Sequence, residues 1–550
     1  MLNKKQVNYY NLIPYFIVIL LLFGCAAQQP PQGGPRDVTP PKLVKAIPAN
    51  KTRNFKAKEI DLEFDEFIKL TNQYQEISMS PAPEKLPEYS SNKRILKIKL
   101  RDSLQKNTTY VINFGKAIQD VNEANILKNF TYVFSTGNHI DSLSISGTVT
   151  NTLTQEKEKD VTVMLFPLKQ DSLLFGKKKP SIFATTDSSG NFSLNNLRED
   201  DYRIYALKEA SPNKIFDNDK ELIAFLKKPI HLRSDTQNIQ LNLFKQSPEK
   251  FRVSEKRFDT DGKLLLIFNK ALNNPGLKVI YPTDIDRQKS VEFSKTKDTA
   301  FVYLRNMNFD SIRVAIFDNN KPIDSVSQLK TKKESFQRTL TFLYNINSNN
   351  LLKPTNDLKI TASLPIDNFD NSQITLNEDS VAVAVSDYTL QKDTSNFKKL
   401  TLKYRWRQGS KYELIINEGA FTSIYGDKNK RPPSKRFQVD KLENYSTLTI
   451  KVTVPDTSKG YVVQLLNEKK DVLESNPIQR NASLVYKNLL TGKYMIRVVY
   501  DENKNGKWDS GNVHQKRQPE NIWVSEKVIA LRPNWEAEEA ITIPKEKPTP

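Results

Sequence analysis

Nine residues near the C-terminal end carry the most specific chemical spacing in the chain: Asp501-Glu502-Asn503-Lys504-Asn505-Gly506-Lys507-Trp508-Asp509. Oxygen-bearing side chains stand at positions 1, 3, 5 and 9, and a glycine stands at 6. Calcium is a hard cation that takes six to eight oxygens, and a short loop wraps it with this spacing, adding a main-chain carbonyl at position 7. The expected ligands are Asp501, Asn503, Asn505 and Asp509 through side chains and Lys507 through its carbonyl. Only two are carboxylates, so a structural calcium ion would bind weakly. The same residues also suit a polar hairpin, for which Asn-Gly is the strongest local signal. The other chemically distinct residue is Cys25, the only cysteine, so no internal disulfide can form and stability rests on domain cores.

Catalytic patterns are missing from the sequence. His139, His231 and His514 lie far apart without paired-ligand spacing, and no P-loop, nucleophile elbow or dinucleotide fingerprint is present. The expectation is a protein that is not an enzyme. Net charge is +20, from 83 basic and 63 acidic residues. Acidic residues are interleaved with the basic ones throughout, which favours a solvated surface, with an anionic glycan or other envelope surface as second reading and no nucleic acid.

Cys25 acquires its meaning from what precedes it. Lys4 and Lys5 lead into an apolar run over residues 12–23, too short for a comfortable membrane span. The run ends in Leu22-Phe23-Gly24-Cys25, which resembles the bacterial lipobox; Phe23 is bulkier than the pattern prefers. The resemblance implies cleavage after Gly24 and acylation of Cys25, giving a lasting membrane anchor. Residues 25–39, rich in Pro, Gln and Gly, read as a flexible tether. The loop at 501–509 resembles EF-hand-like and dockerin-like calcium loops. Its twelfth position is Asn512 rather than Glu and no flanking helices are evident, so a full EF-hand is not expected.

Strands must position these groups, because period-2 alternation recurs almost everywhere. Ile60, Leu62 and Phe64 alternate with Asp61, Glu63 and Asp65, and Leu96, Ile98 and Leu100 with Lys97 and Lys99. The expected fold is all-β, a tandem of antiparallel β-sandwiches. Residues 40–138, with Pro40-Pro41, Ile47-Pro48, Asn107-Thr108-Thr109-Tyr110 and a closing Phe130, Tyr132, Phe134 strand, resemble the SbsA-type bacterial Ig-like domain. Residues 139–248 carry Ile145-Ser146-Gly147, the turn Asp187-Ser188-Ser189-Gly190, and Asn196-Leu197 followed by Tyr202. They resemble the transthyretin-like, carboxypeptidase-regulatory sandwich.

Both types recur. Residues 336–440 repeat the Ig-like pattern, with Gly409-Ser410-Lys411-Tyr412 replacing Asn107 to Tyr110. Residues 441–550 repeat the transthyretin-like one, with Asn488-Leu489 before Tyr494. Residues 249–335 are β-rich, and a degenerate Ig-like unit would explain them, although they contain no nameable motif. Aligning Tyr202 with Tyr494 places Glu209, Ser211, Asn213 and Asp217 on Asp501, Asn503, Asn505 and Asp509, and Phe216 on Trp508.

A lipobox followed by these domains resembles Bacteroidota outer-membrane lipoproteins. It implies a multidomain binding or scaffold protein of the envelope, with a role in an outer-membrane protein assembly or transport complex. The alternative is a surface glycan-binding or adhesive lipoprotein, which exposed Trp508 or Trp523 beside a groove would favour. Trp406, on an alternating strand, reads as core, and Trp535 is open.

Overall fold

The computed structural model describes residues 36–218, 220–330, 336–432 and 434–546, so Cys25 and its flanking segment lie outside the described residues. The chain divides into two compact units, residues 1–140 and 141–550.

In the first unit, the strands Leu43–Ile47, Glu59–Phe64, Ile95–Lys99 and Glu88–Asn92 form one sheet in that order, and Thr131–Ser135, Thr109–Asn113 and Ser78–Ser80 form another. Alternation does the work: Ile60, Leu62, Phe64, Leu96 and Ile98 turn inward and join Tyr110, Ile112, Tyr132 and Phe134 in one core. Tyr110 closes a corner, its hydroxyl accepting the Gln105 N–H at 2.8 Å and its ring stacking on Phe134 at 5.4 Å. Asn107, at φ 51°, makes the preceding turn.

The second unit contains four more sandwich cores in succession. The core at 340–439 repeats the corner. The Tyr412 hydroxyl accepts the Arg407 N–H at 2.9 Å, its ring stacks on Phe437 at 5.5 Å, and Gly409 takes the place of Asn107 at φ 81°.

The block after residue 250 has the strand order of the first sandwich. Val253–Phe258, Leu264–Phe268, Thr299–Leu304 and Lys289–Phe293 make one sheet, and Lys321–Leu329, Ser311–Asp318 and Pro275–Tyr281 make the other. Seven strands therefore correspond one to one with those of the first sandwich. The second residue of the strand that carries Tyr110 or Tyr412 is here Ile312, so the corner that marks the other two copies in sequence is missing.

The sandwiches at 143–245 and 445–543 share a different topology. In each, the opening strand pairs antiparallel on one side and parallel with the last strand on the other: Leu143–Asn151 with Thr236–Lys245, and Tyr445–Thr453 with Glu536–Thr542. Gly147 is required by that parallel neighbour, since a Cβ there would lie 2.0 Å from the Ile239 carbonyl oxygen. Asn196 and Asn488 turn at φ 56° and 57°, and Tyr202 and Tyr494 each donate to the carbonyl four residues back, at 2.9 and 2.6 Å.

Candidate functional site

The strand Gly492–Asp501 delivers the loop that sequence spacing singles out. Asp501 is 2% exposed, and its two carboxylate oxygens accept the N–H groups of Asn505 at 3.0 Å and Gly506 at 2.8 Å. Gly506 sits at φ 75°, a left-handed conformation that favours glycine. The Asn503 and Asn505 side-chain amides both donate to Asp509 Oδ2, the second at 2.8 Å. Asn505 Oδ1 in turn accepts the Lys507 N–H at 2.8 Å. The five expected ligand residues thus share one loop, closed by its own hydrogen bonds. A cation would have to replace the two amide-to-Asp509 bonds. Among the described residues, no group of three or more His, Cys, Asp and Glu side chains is arranged to hold a metal.

Sequence spacing missed a third carboxylate. Glu520 lies nineteen positions after Asp501, is 7% exposed, and accepts the N–H groups of Glu502 at 2.9 Å and Asp509 at 2.8 Å. Burial, helped by the charges of Asp509 and Asp501 and opposed by these two donors, pushes its carboxyl up to about 7. Trp508 donates its indole N–H to the Glu520 carbonyl at 3.0 Å.

The first copy is built the same way. Glu209 accepts the N–H groups of Asn213 and Lys214, and Asn213 donates to Asp217 at 3.0 Å. Glu221 accepts the N–H groups of Asp217 and Asn218. Lys214, in the place of Gly506, still takes φ 62°. Ser211 is exposed. The difference between the copies is an insertion: three residues (218–220) separate Asp217 from Glu221, whereas ten (510–519) separate Asp509 from Glu520.

Those ten residues dock the last sandwich onto the second. Val513 is fully buried in a cluster with Met164, Phe166, Phe183, Tyr205, Leu207, Ile223, Phe225 and Phe244. Its N–H donates to Gln246 Oε1 at 2.7 Å, and Gln518 donates to the Phe225 carbonyl at 2.7 Å. Gly511 lies so close to Phe244 that a Cβ would come within 2.7 Å of the ring. Asn512, the twelfth position of the calcium-type spacing, turns away from the loop and donates to Glu249 at 3.0 Å.

Lys516 crosses the seam to reach the Tyr205 hydroxyl and Asp171, and Tyr205 donates to Asp171 in turn. Burial, reinforced by nearby Arg203 and opposed by Asp171, lowers the Lys516 ammonium. Burial, then Asp171, raises the Tyr205 phenol. From the second sandwich, the Leu153 carbonyl accepts from Arg497 at 3.2 Å, and Glu156 pairs with Lys470.

The intervening sandwiches are also joined. Lys398 meets Glu292 and Tyr303, each at 3.0 Å, and Arg338, whose guanidinium lies 3.9 Å from the Tyr425 ring centroid, donates to the Asp261 carbonyl at 2.9 Å. The four sandwiches of the second unit are therefore linked in a circuit rather than a string.

Residues 37–136 match the bacterial Ig-like domain family. The match covers about a fifth of the chain, and with the topology above it gives a multidomain all-β protein with an Ig-like first sandwich. No curated protein matches the sequence. Three solved structures illustrate how distant the structural likenesses are. BcpA, the major pilin subunit of Bacillus cereus, is 11% identical, with 73% of this chain and 98% of that one covered and a TM-score of 0.13. The Bacteroides ovatus protein SGBP-B, solved with a mixed-linkage heptasaccharide, is 10% identical, with 62% and 86% covered and a TM-score of 0.18. Escherichia coli alpha-2-macroglobulin is 12% identical, with 46% and 94% covered and a TM-score of 0.15. Such scores carry no argument about function.

The tryptophans form no common platform. Trp406 packs on Tyr412 and Phe437 beside the fourth core, Trp508 against the docking cluster and Trp523 against the fifth core, while Trp535 is 47% exposed under Arg532.

Proposed function

We propose that this chain is a non-enzymatic lipoprotein of the bacterial cell envelope, held to the outer membrane by acylated Cys25. Its sandwiches act as a scaffold that binds and positions other envelope proteins, in an assembly or transport complex of the outer membrane. The charged n-region, apolar run and Leu-Phe-Gly-Cys sequence support the anchor.

The observation that carries the scaffold reading is the docking of the fifth sandwich onto the second. A flexible stalk leaves its units free to move, whereas a buried seam between segments about 300 residues apart, with Val513 at 0% exposure, holds their outer surfaces in one relative geometry. Fixed geometry lowers the ordering cost of binding a large partner. The Ig-like first sandwich suits an extracytoplasmic module, although fold alone assigns no partner.

The test is affinity purification of the native protein from gently solubilised outer membranes. The expected result is co-purification of one or more envelope proteins in fixed ratio, with recovery in the membrane fraction. A protein recovered alone after mild cross-linking, or found wholly in the soluble fraction, overturns the reading.

A further inference from the structure

Beneath the docking hairpin lies a cleft of about 550 Å³, lined by the second sandwich, the third sandwich and the tip of the fifth. Its size falls within the range of small-molecule sites, which lie preferentially where domains meet.

Two half-buried aromatic rings wall it, and each is braced from behind. Phe216 stacks on Phe175 with centroids 6.4 Å apart, and Phe251 packs on Phe268 at 5.2 Å. His514 lies 6.3 Å from Phe216 across the seam. The rings therefore keep their positions whether or not anything sits between them.

The polar lining carries both signs of charge, three carboxylates and two cations. Asp217, Glu221, Glu249, Lys250 and Arg252 line it with the amides of Asn218, Gln246 and Asn269; Asn269 is fixed by the Arg252 N–H and the Lys250 carbonyl, each at 3.0 Å, and Gln246 by the Val513 N–H. Glu221 is committed to the loop it closes, and Glu249 gives one oxygen to Asn512. The Lys250 ammonium meets no acceptor among the described residues. Although the whole chain carries a net charge of +20, this cleft holds no surplus of cations to select an anion.

Aromatic faces cover the C–H faces of a ring, while fixed carboxylates, amides and an ammonium bond its hydroxyls through charge-assisted hydrogen bonds. We infer that the cleft between Phe216, Phe251 and His514 is a binding site for a neutral carbohydrate, one to a few sugar units long. Because the lining comes from three sandwiches, bound sugar also holds the docked arrangement together. This site is independent of the protein partner proposed above and of the tryptophans.

The experiment is calorimetric titration of the full mature chain with a panel of neutral oligosaccharides, with uronic-acid oligosaccharides and short peptides alongside. At least one neutral sugar should bind saturably. Phe251→Ala and the rim substitution Lys250→Ala should each weaken it about tenfold or more. Lys250 is exposed, so its loss leaves the fold intact, and unchanged hydrogen exchange across residues 510–518 confirms that the seam is undisturbed. Failure of every neutral sugar to bind overturns the proposal. So does binding that neither substitution changes, or preference for the charged sugars or the peptides. The outcome is separable from the co-purification test, which reads protein partners and not sugar.

Discussion

Replacing Val513 by alanine isolates the docking seam from the stability of either sandwich. The side chain is 0% exposed and, apart from Val513 itself, every buried member of its cluster belongs to the second sandwich. Alanine removes two methyl-sized groups, at about 0.8 kcal/mol each in transfer free energy. A further term arises because Phe225, Phe244 and Tyr205 are held by their own strands and do not close the gap. The total is about 2–3 kcal/mol. At about 1.4 kcal/mol per factor of ten, the open population of the hairpin should rise roughly 30- to 150-fold. Native-state hydrogen exchange reads this directly, because sub-global opening exposes amides of one unit and leaves others protected. The Val513 N–H, bonded to Gln246, should exchange faster by that factor, as should the N–H groups of Asn512 and Arg517, which bond each other's carbonyls. Amides of the strand Gly492–Asp501 should keep their protection. Unchanged exchange at 512–517 would refute the reasoning, and equal acceleration throughout the fifth sandwich would show that the hairpin does not open as a unit.

Three further outcomes are expected. Cys25→Ser should release the protein from the membrane fraction or stall its processing; wild-type membrane retention with normal cleavage would contradict the anchor. The Glu520 carboxyl has a folded-state pKa of about 7 against an ordinary 4.5, burial being the first cause. The folded state therefore holds the proton more tightly, its advantage is full below pH 4.5, and it is lost as pH rises through 7, by about 3 kcal/mol in all. Glu520→Gln should flatten stability between pH 5 and 8, and an unchanged slope after the substitution would count against it. If the 501–509 loop takes calcium, the full chain should melt higher in calcium than in chelator. The gain would reach about 2.7 kcal/mol only at a hundredfold excess over the dissociation constant. Asp501→Ala with Asp509→Ala should remove that difference, and equal melting temperatures in the parent protein would leave the polar hairpin as the reading.

Local chemistry makes part of this molecule legible in its sequence alone. Alternation at Ile60, Leu62 and Phe64 requires one buried face, because successive strand residues point to opposite sides. Tyr110 with Tyr412, and Tyr202 with Tyr494, mark equivalent corners because each hydroxyl bonds a main-chain group within five residues. The oxygen spacing from Asp501 to Asp509 closes a loop for the same reason: the side-chain bonds of Asp501, Asn503 and Asn505 stay within it. Where partners are distant, the sequence is silent. The block after residue 250 has an Ig-like strand order, but Ile312 stands where a corner tyrosine would announce it. Glu520 closes the loop across ten intervening residues, seven more than separate Asp217 from Glu221, so spacing does not link it to Asp509. That insertion reads as a polar turn with one isolated valine, since the apolar partners of Val513 come from strands as far back as Met164. Hydrophobic periodicity reports a face that one element buries against its neighbours, and a single side chain docking on another domain has no period to report. Only the tertiary structure could show that the second unit closes upon itself.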